Sequence, residues 1–126
     1  MTLMIPAGAS HIETRDTRIG GARGLAVSGE LDVSTATPLT EAVERAVWGS
    51  VGAFVLDLTA LRFIDSTGLH ALLRARAYLS REDRSLAVLL PRGDVRRVLD
   101  LAGMLDTLVV YSTREALEAA LVPADD

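Results

Sequence analysis

In the stretch "LRFIDSTGLHALLRARAYL", residues 61–79, an apolar run passes through Asp65, Ser66, Thr67 and Gly68 straight into a helical pattern. Three small polar side chains and a glycine at such a junction have two uses. Asp, Ser and Thr accept hydrogen bonds from the unpaired N–H groups of a helix start, so each is a capping candidate, and Ser66 is expected to supply one capping oxygen. The second use is to hold a hydroxyl at the surface where another protein can reach it. Gly68, with no side chain, then leaves room for that protein's active site. Thr67 is a first-turn residue and a lesser candidate for the same role.

Other residues invite catalytic readings, and each reading lacks a part. His70 follows Ser66 by four positions on nearly the same helix face, but a hydrolytic nucleophile also needs an oriented base and an oxyanion hole. Neither is visible. Asp57 closes the apolar run "VGAFVLDL" much as the phospho-acceptor of a receiver domain does, yet such a site needs a lysine, and all 13 basic residues are arginine. The missing lysine also excludes Schiff-base chemistry and a Walker-type phosphate loop. Without cysteine there is no disulfide, thiol nucleophile or thiolate metal site. No cofactor and no metal are expected. Asp57 is expected to fix a loop at its strand end, and His70 to be a surface residue.

The chain has 126 residues, 49% hydrophobic and 24% charged, which is the balance of one folded domain with a substantial core. Its net charge of −4 argues against direct DNA binding, which needs a concentrated positive patch. The densest basic stretch is "RGDVRR" at 92–97, and it is short. No apolar run approaches the ~18 residues of a membrane span, and no signal-type leader is visible, so a cytoplasmic location is expected.

The elements that must position these residues alternate. After a loose leader, "HIETRDT" and "GLAVSGEL" read as strands joined by a glycine-containing turn. "DVSTATPLTEAVERAVW" places Ala36, Leu39, Ala42, Val43, Ala46 and Val47 on one helical face, with Pro38 tolerable in the first turn. "VGAFVLDL" is continuous enough for a strand covered on both sides. In the helix after Ser66, Leu69, Leu72, Leu73 and Leu79 form a stripe that also contains Arg76, whose head must snorkel out or find a partner. "SLAVLLP", "GDVRRVLDLAGM", "TLVVYS" and "TREALEAALV" continue as strand, helix, strand and helix. The expectation is a single α/β domain over residues 11–122, with a mixed sheet of about four to five strands and flanking helices. Residues 1–10 read as a flexible leader and 123–126 as a tail.

The order "SGELDVST", "VLDLTALRFIDSTGLHALL" and "RGDVRRVLDLAGMLD" resembles the STAS superfamily, and within it the stand-alone bacterial anti-sigma-factor antagonists. The resemblance covers roughly Ile12 to Leu121, and its motifs are specific in combination. It departs at Met104, where a leucine is common.

That resemblance implies a regulatory protein with no catalysis of its own. Such antagonists bind a sigma-factor-sequestering serine/threonine kinase that brings its own ATP and magnesium, and so release the sigma factor. The kinase phosphorylates the serine after the motif aspartate, which here is Ser66, and a metal-dependent serine phosphatase removes the phosphate. Asp65, Ser66, Thr67 and Gly68, together with Glu30 and Asp32 of the "GELD" loop, are then the expected partner-binding residues. A phosphate at Ser66 would carry about −1.5 to −2 charges at the positive end of a helix dipole, worth about 0.3–1 kcal/mol in its favour. The switch would therefore act at the interface and leave the fold alone. STAS domains also serve as scaffold subunits of signalling assemblies and as soluble parts of transport systems, the alternative to the antagonist.

Overall fold

The computed structural model describes residues 10–121. The expected leader, apart from Ser10, and the expected tail lie outside them.

Five strands and four helices follow the alternation read from the sequence. They are β1 (Ile12–Ile19), β2 (Ala22–Leu31), α1 (Ala36–Trp48), β3 (Phe54–Ile64), α2 (Ser66–Ser80), β4 (Leu86–Leu89), α3 (Asp94–Leu101), β5 (Val110–Tyr111) and α4 (Arg114–Leu121). Spatial and chain order coincide in one sheet, β1-β2-β3-β4-β5. β1 and β2 form an antiparallel hairpin, because only the two-residue Gly20-Gly21 turn separates them. Every later pair is parallel, because each connection carries a helix.

Alternation along the strands sorts side chains between two faces. Leu25, Val27 and Leu31 of β2, Phe54, Leu56 and Leu58 of β3, and Leu86 and Val88 of β4 pack in the main core with α1, α2 and α3. On the other face Ile19, Val55, Ala87 and Leu89 pack around Leu117 of α4. That two-sided cover is why β4 reads as continuously apolar. On α2 the buried residues are Gly68, Ala71, Leu72, Ala75 and Leu79, while Leu69 and Leu73 are half-buried. The buried face thus lies to one side of the expected leucine stripe, and Arg76 is exposed with no need to snorkel.

Two boundaries differ from expectation. β3 does not stop near Asp57 but runs on to Ile64. Its pairing with β2 slips by one residue between Ala26 and Ser28 and again between Gly29 and Glu30. Each bulge resets the inward phase, so the buried residues Leu58, Leu61 and Ile64 come at threes where a regular strand would place them at twos. Asp57 is therefore a half-buried mid-strand residue that accepts a hydrogen bond from Thr59 N at 3.0 Å. β5 holds only two residues, since the chain before it is taken up by turns, with Val109 at φ 54.

The topology brings the site together. The carboxyl ends of β2 and β3 lie beside each other, Leu31 opposite Ile64. The start of antiparallel β1 joins them, with Ile12 opposite Gly29.

Candidate partner-binding site

α2 starts where Asp65 leaves the strand conformation. Its backbone is extended (φ −121, ψ −170), and its Oδ1 accepts the Gly68 N–H at 3.0 Å. The Asp65 N–H is itself anchored, donating to Leu31 O of β2 at 3.2 Å. The capping oxygen thus belongs to Asp65, and the expectation that Ser66 supplies one is corrected. Ser66 is the first helical residue, exposed, and its hydroxyl bonds to no other described residue. Thr67 is half-buried behind it, and His70 is exposed with no hydrogen bond joining it to Ser66.

Gly68 is buried and faces inward. A Cβ there would lie 2.6 Å from Leu31 O and 2.7 Å from Ile64 Cγ1. The space freed by its missing side chain is filled by the ends of β2 and β3, so the expected room for an approaching partner is not there. Gly29 answers a similar demand, at φ 104 and with a would-be Cβ 2.3 Å from His11 O. The two glycines let β1, β2 and α2 converge at one edge of the sheet.

Glu30 and Asp32 are half-buried there and fully engaged. Glu30 Oε2 accepts from Arg62 Nη2, and its Oε1 accepts from His11 N at 3.2 Å. The Arg62 hydrogen bond first, and the His11 N–H second, hold the Glu30 carboxyl below its ordinary range. Asp32 accepts from the Ser10 hydroxyl, and from Ser34 N at 2.9 Å and Ser34 Oγ at 2.7 Å. These bonds, led by Ser10, likewise lower its pKa. Buried Thr35 ties the loop from beneath, donating to Glu30 O at 2.7 Å and accepting from Asp32 N at 2.9 Å. Asp32 therefore organises the turn into α1, and the last residue of the expected leader, Ser10, is fastened to it.

The structure places Glu30, Asp32, Asp65, Ser66 and Thr67 on one rim, with Gly68 beneath it. It adds Arg62, Thr35, Ser10 and two exposed apolar side chains, Val33 and Phe63. Of these, Asp32-x-Ser34-Thr35 has the local signature of a helix entry. Arg62 had no such signal, because its partner is 32 residues away. Chemically the rim offers, at Ser66, an exposed hydroxyl with no hydrogen-bond partner among the described residues, amid carboxylates and two apolar contacts, whereas the exposed Ser34 hydroxyl donates to Asp32.

The family model of the STAS domain matches residues 14–117, which take in the core of the five-stranded sheet and the start of α2 with its exposed hydroxyl. The chain belongs to the STAS domain family. Over 94 residues this STAS domain is 34% identical to the anti-sigma-F factor antagonist RsfB of Mycobacterium tuberculosis, covering 74% of this chain and 75% of that one. It is similar to the crystal structure of an anti-sigma factor antagonist from Mycobacterium paratuberculosis, with a TM-score of 0.78 and 32% identity over 88% of this chain and 94% of the other. The unphosphorylated form of the antagonist SpoIIAA shares the fold at a TM-score of 0.63 and 22% identity, over 89% and 96% of the two chains. The STAS fold accounts for the five-stranded mixed sheet and the four helices. No described helix is long and apolar enough to cross a membrane.

Proposed function

We propose that this STAS domain is an anti-sigma-factor antagonist whose binding to an anti-sigma serine/threonine kinase is switched off by phosphorylation of Ser66. The observation that carries the reading is the exposed Ser66 hydroxyl, unbonded within the described fold, on a helix start whose cap is supplied by another residue. Such a hydroxyl is free to react without dismantling the fold. The names of the relatives supply the class of activity, and the rim of Glu30, Asp32, Asp65, Ser66 and Thr67 supplies the contact surface, with Val33 and Phe63 as its apolar part.

In this reading the domain does no chemistry itself. ATP and magnesium belong to the kinase, the resetting step belongs to a metal-dependent serine phosphatase, and the cycle runs in the cytoplasm. A phosphate adds about −1.5 to −2 charges to a rim that already holds three carboxylates. Facing a kinase pocket occupied by nucleotide phosphates, it meets like charge, which costs several kcal/mol at an interface.

Incubation with the candidate kinases of the same genome, ATP and magnesium, followed by mass spectrometry, tests the reading. One acid-stable phosphate is expected on the Ser66 peptide and none on Asp57. By calorimetry Ser66→Ala should bind the nucleotide-loaded kinase and Ser66→Asp should bind it poorly. Equal binding of the two variants would replace the switch with a scaffold role.

A further inference from the structure

β4 pairs with β3 only from Phe54 to Asp57. Beyond that point no described strand pairs with β3 on this side, and the chain leaves β4 through Leu90 and Pro91 to reach α3. A cleft of about 270 Å³ remains between the two. Buried Leu61, Leu90 and Val95 lie at its base, and three arginines, Arg62, Arg92 and Arg96, are among the residues that line it. Arg96 is held in place by donating to Leu90 O at 3.0 Å. Arg92 is exposed and has no ion-pair partner among the described residues. The one carboxylate in the lining, Asp94, is 94% exposed and lies 3.7 Å from Arg97, which offsets it. With Arg62 paired to Glu30, Arg92 and Arg96 leave a local excess of positive charge on a chain of net charge −4.

Arg62 belongs both to this cleft and to the Ser66 rim, where it bonds Glu30. The carboxyl edge of the sheet is thus divided, with carboxylates on the β2 and α2 side and guanidinium groups on the β4 and α3 side. A nucleic acid would meet the carboxylate half as a repulsive surface. A protein with the opposite charge order would find both halves complementary.

We infer that the kinase acting at Ser66 carries an acidic segment that docks in the cleft between Arg62, Arg92 and Arg96. The inference rests on the reading of Ser66 given above. The divided rim then sets the orientation of docking, since a partner turned end for end would oppose like charges on both halves. Carboxylates of the segment would pair with Arg92 and Arg96.

Stopped-flow and equilibrium binding to the phosphorylating kinase test this with Arg92→Glu, which disturbs no hydrogen bond of the described fold. Arg74→Glu serves as a control for net charge, being exposed on α2 and also without an ion-pair partner among the described residues. Arg92→Glu should slow association about tenfold at low salt, and high salt should shrink the gap to under about threefold. Arg74→Glu should bind as the wild type does. Equal losses in both variants, or none in Arg92→Glu, would overturn the cleft while wild-type binding and Ser66 phosphorylation leave the antagonist reading intact. A wild type that no kinase binds would overturn that reading, and the inference with it.

Discussion

Replacing Asp65 and Ser66 in turn separates the cap of α2 from its reactive hydroxyl. Asp65→Ala removes the oxygen that accepts the Gly68 N–H at 3.0 Å. Loss of an N-cap costs about 0.5–2 kcal/mol. Because Gly68 is buried, its N–H gains little from water, and a buried donor left unpaired costs about 1–3 kcal/mol. The two figures describe the same bond, so about 2 kcal/mol is expected in all. For a domain of this length that lowers Tm by about 7–8 °C. Ser66→Ala removes a hydroxyl with no partner in the described fold, and should stay within about 0.5 kcal/mol of wild type. Asp65→Asn keeps an acceptor oxygen and should recover most of the loss. Urea melts followed by circular dichroism give the comparison, with unchanged m-values certifying the same two-state unfolding. If Ser66→Ala proves as costly as Asp65→Ala, the cap is shared, and a phosphate on Ser66 would perturb the helix start as well as the interface.

Two further outcomes follow from the same edge of the sheet. Gly68→Ala places a Cβ 2.6 Å from Leu31 O and 2.7 Å from Ile64 Cγ1, so α2 must shift, at about 1–3 kcal/mol by thermal melting; a melt equal to wild type would show that the helix start is not seated against β2. The lowered pKa values of Glu30 and Asp32 make these carboxylates stabilise the fold fully above the ordinary carboxylate range, and that contribution is lost as pH falls through their folded values. Asp32→Asn should therefore lower stability at neutral pH and flatten the acid limb of a stability profile below about pH 4, and an acid limb as steep as in wild type would refute the bonds drawn to Ser10 and Ser34.

Much of this domain was legible in the residues themselves. The helical spacing from Ala36 to Val47, the two glycines between the first strands and the capping triplet at Asp65 are local signals, read from neighbours within a turn or two of chain. They set the order of strands and helices and placed Ser66 at a helix start. Local propensity could not decide which member of the triplet does the capping, because the side-chain oxygens of Asp, Ser and Thr are nearly equivalent acceptors for a helix-start N–H. That choice fell to the Leu31 carbonyl, which holds the Asp65 backbone at the end of the strand and leaves Ser66 as the first helical residue. Likewise Asp57 looked like a strand end, because bulges are set by pairing with another strand and leave buried residues at an irregular spacing that reads as loop. Gly68 gave no sign of facing inward until β2 lay against it. The pairing of Glu30 with Arg62, and the cleft beside it, join residues far apart in the chain. Such contacts arise only when a sheet brings strand ends together, and that is where tertiary structure, and not sequence pattern, sets the chemistry of the rim.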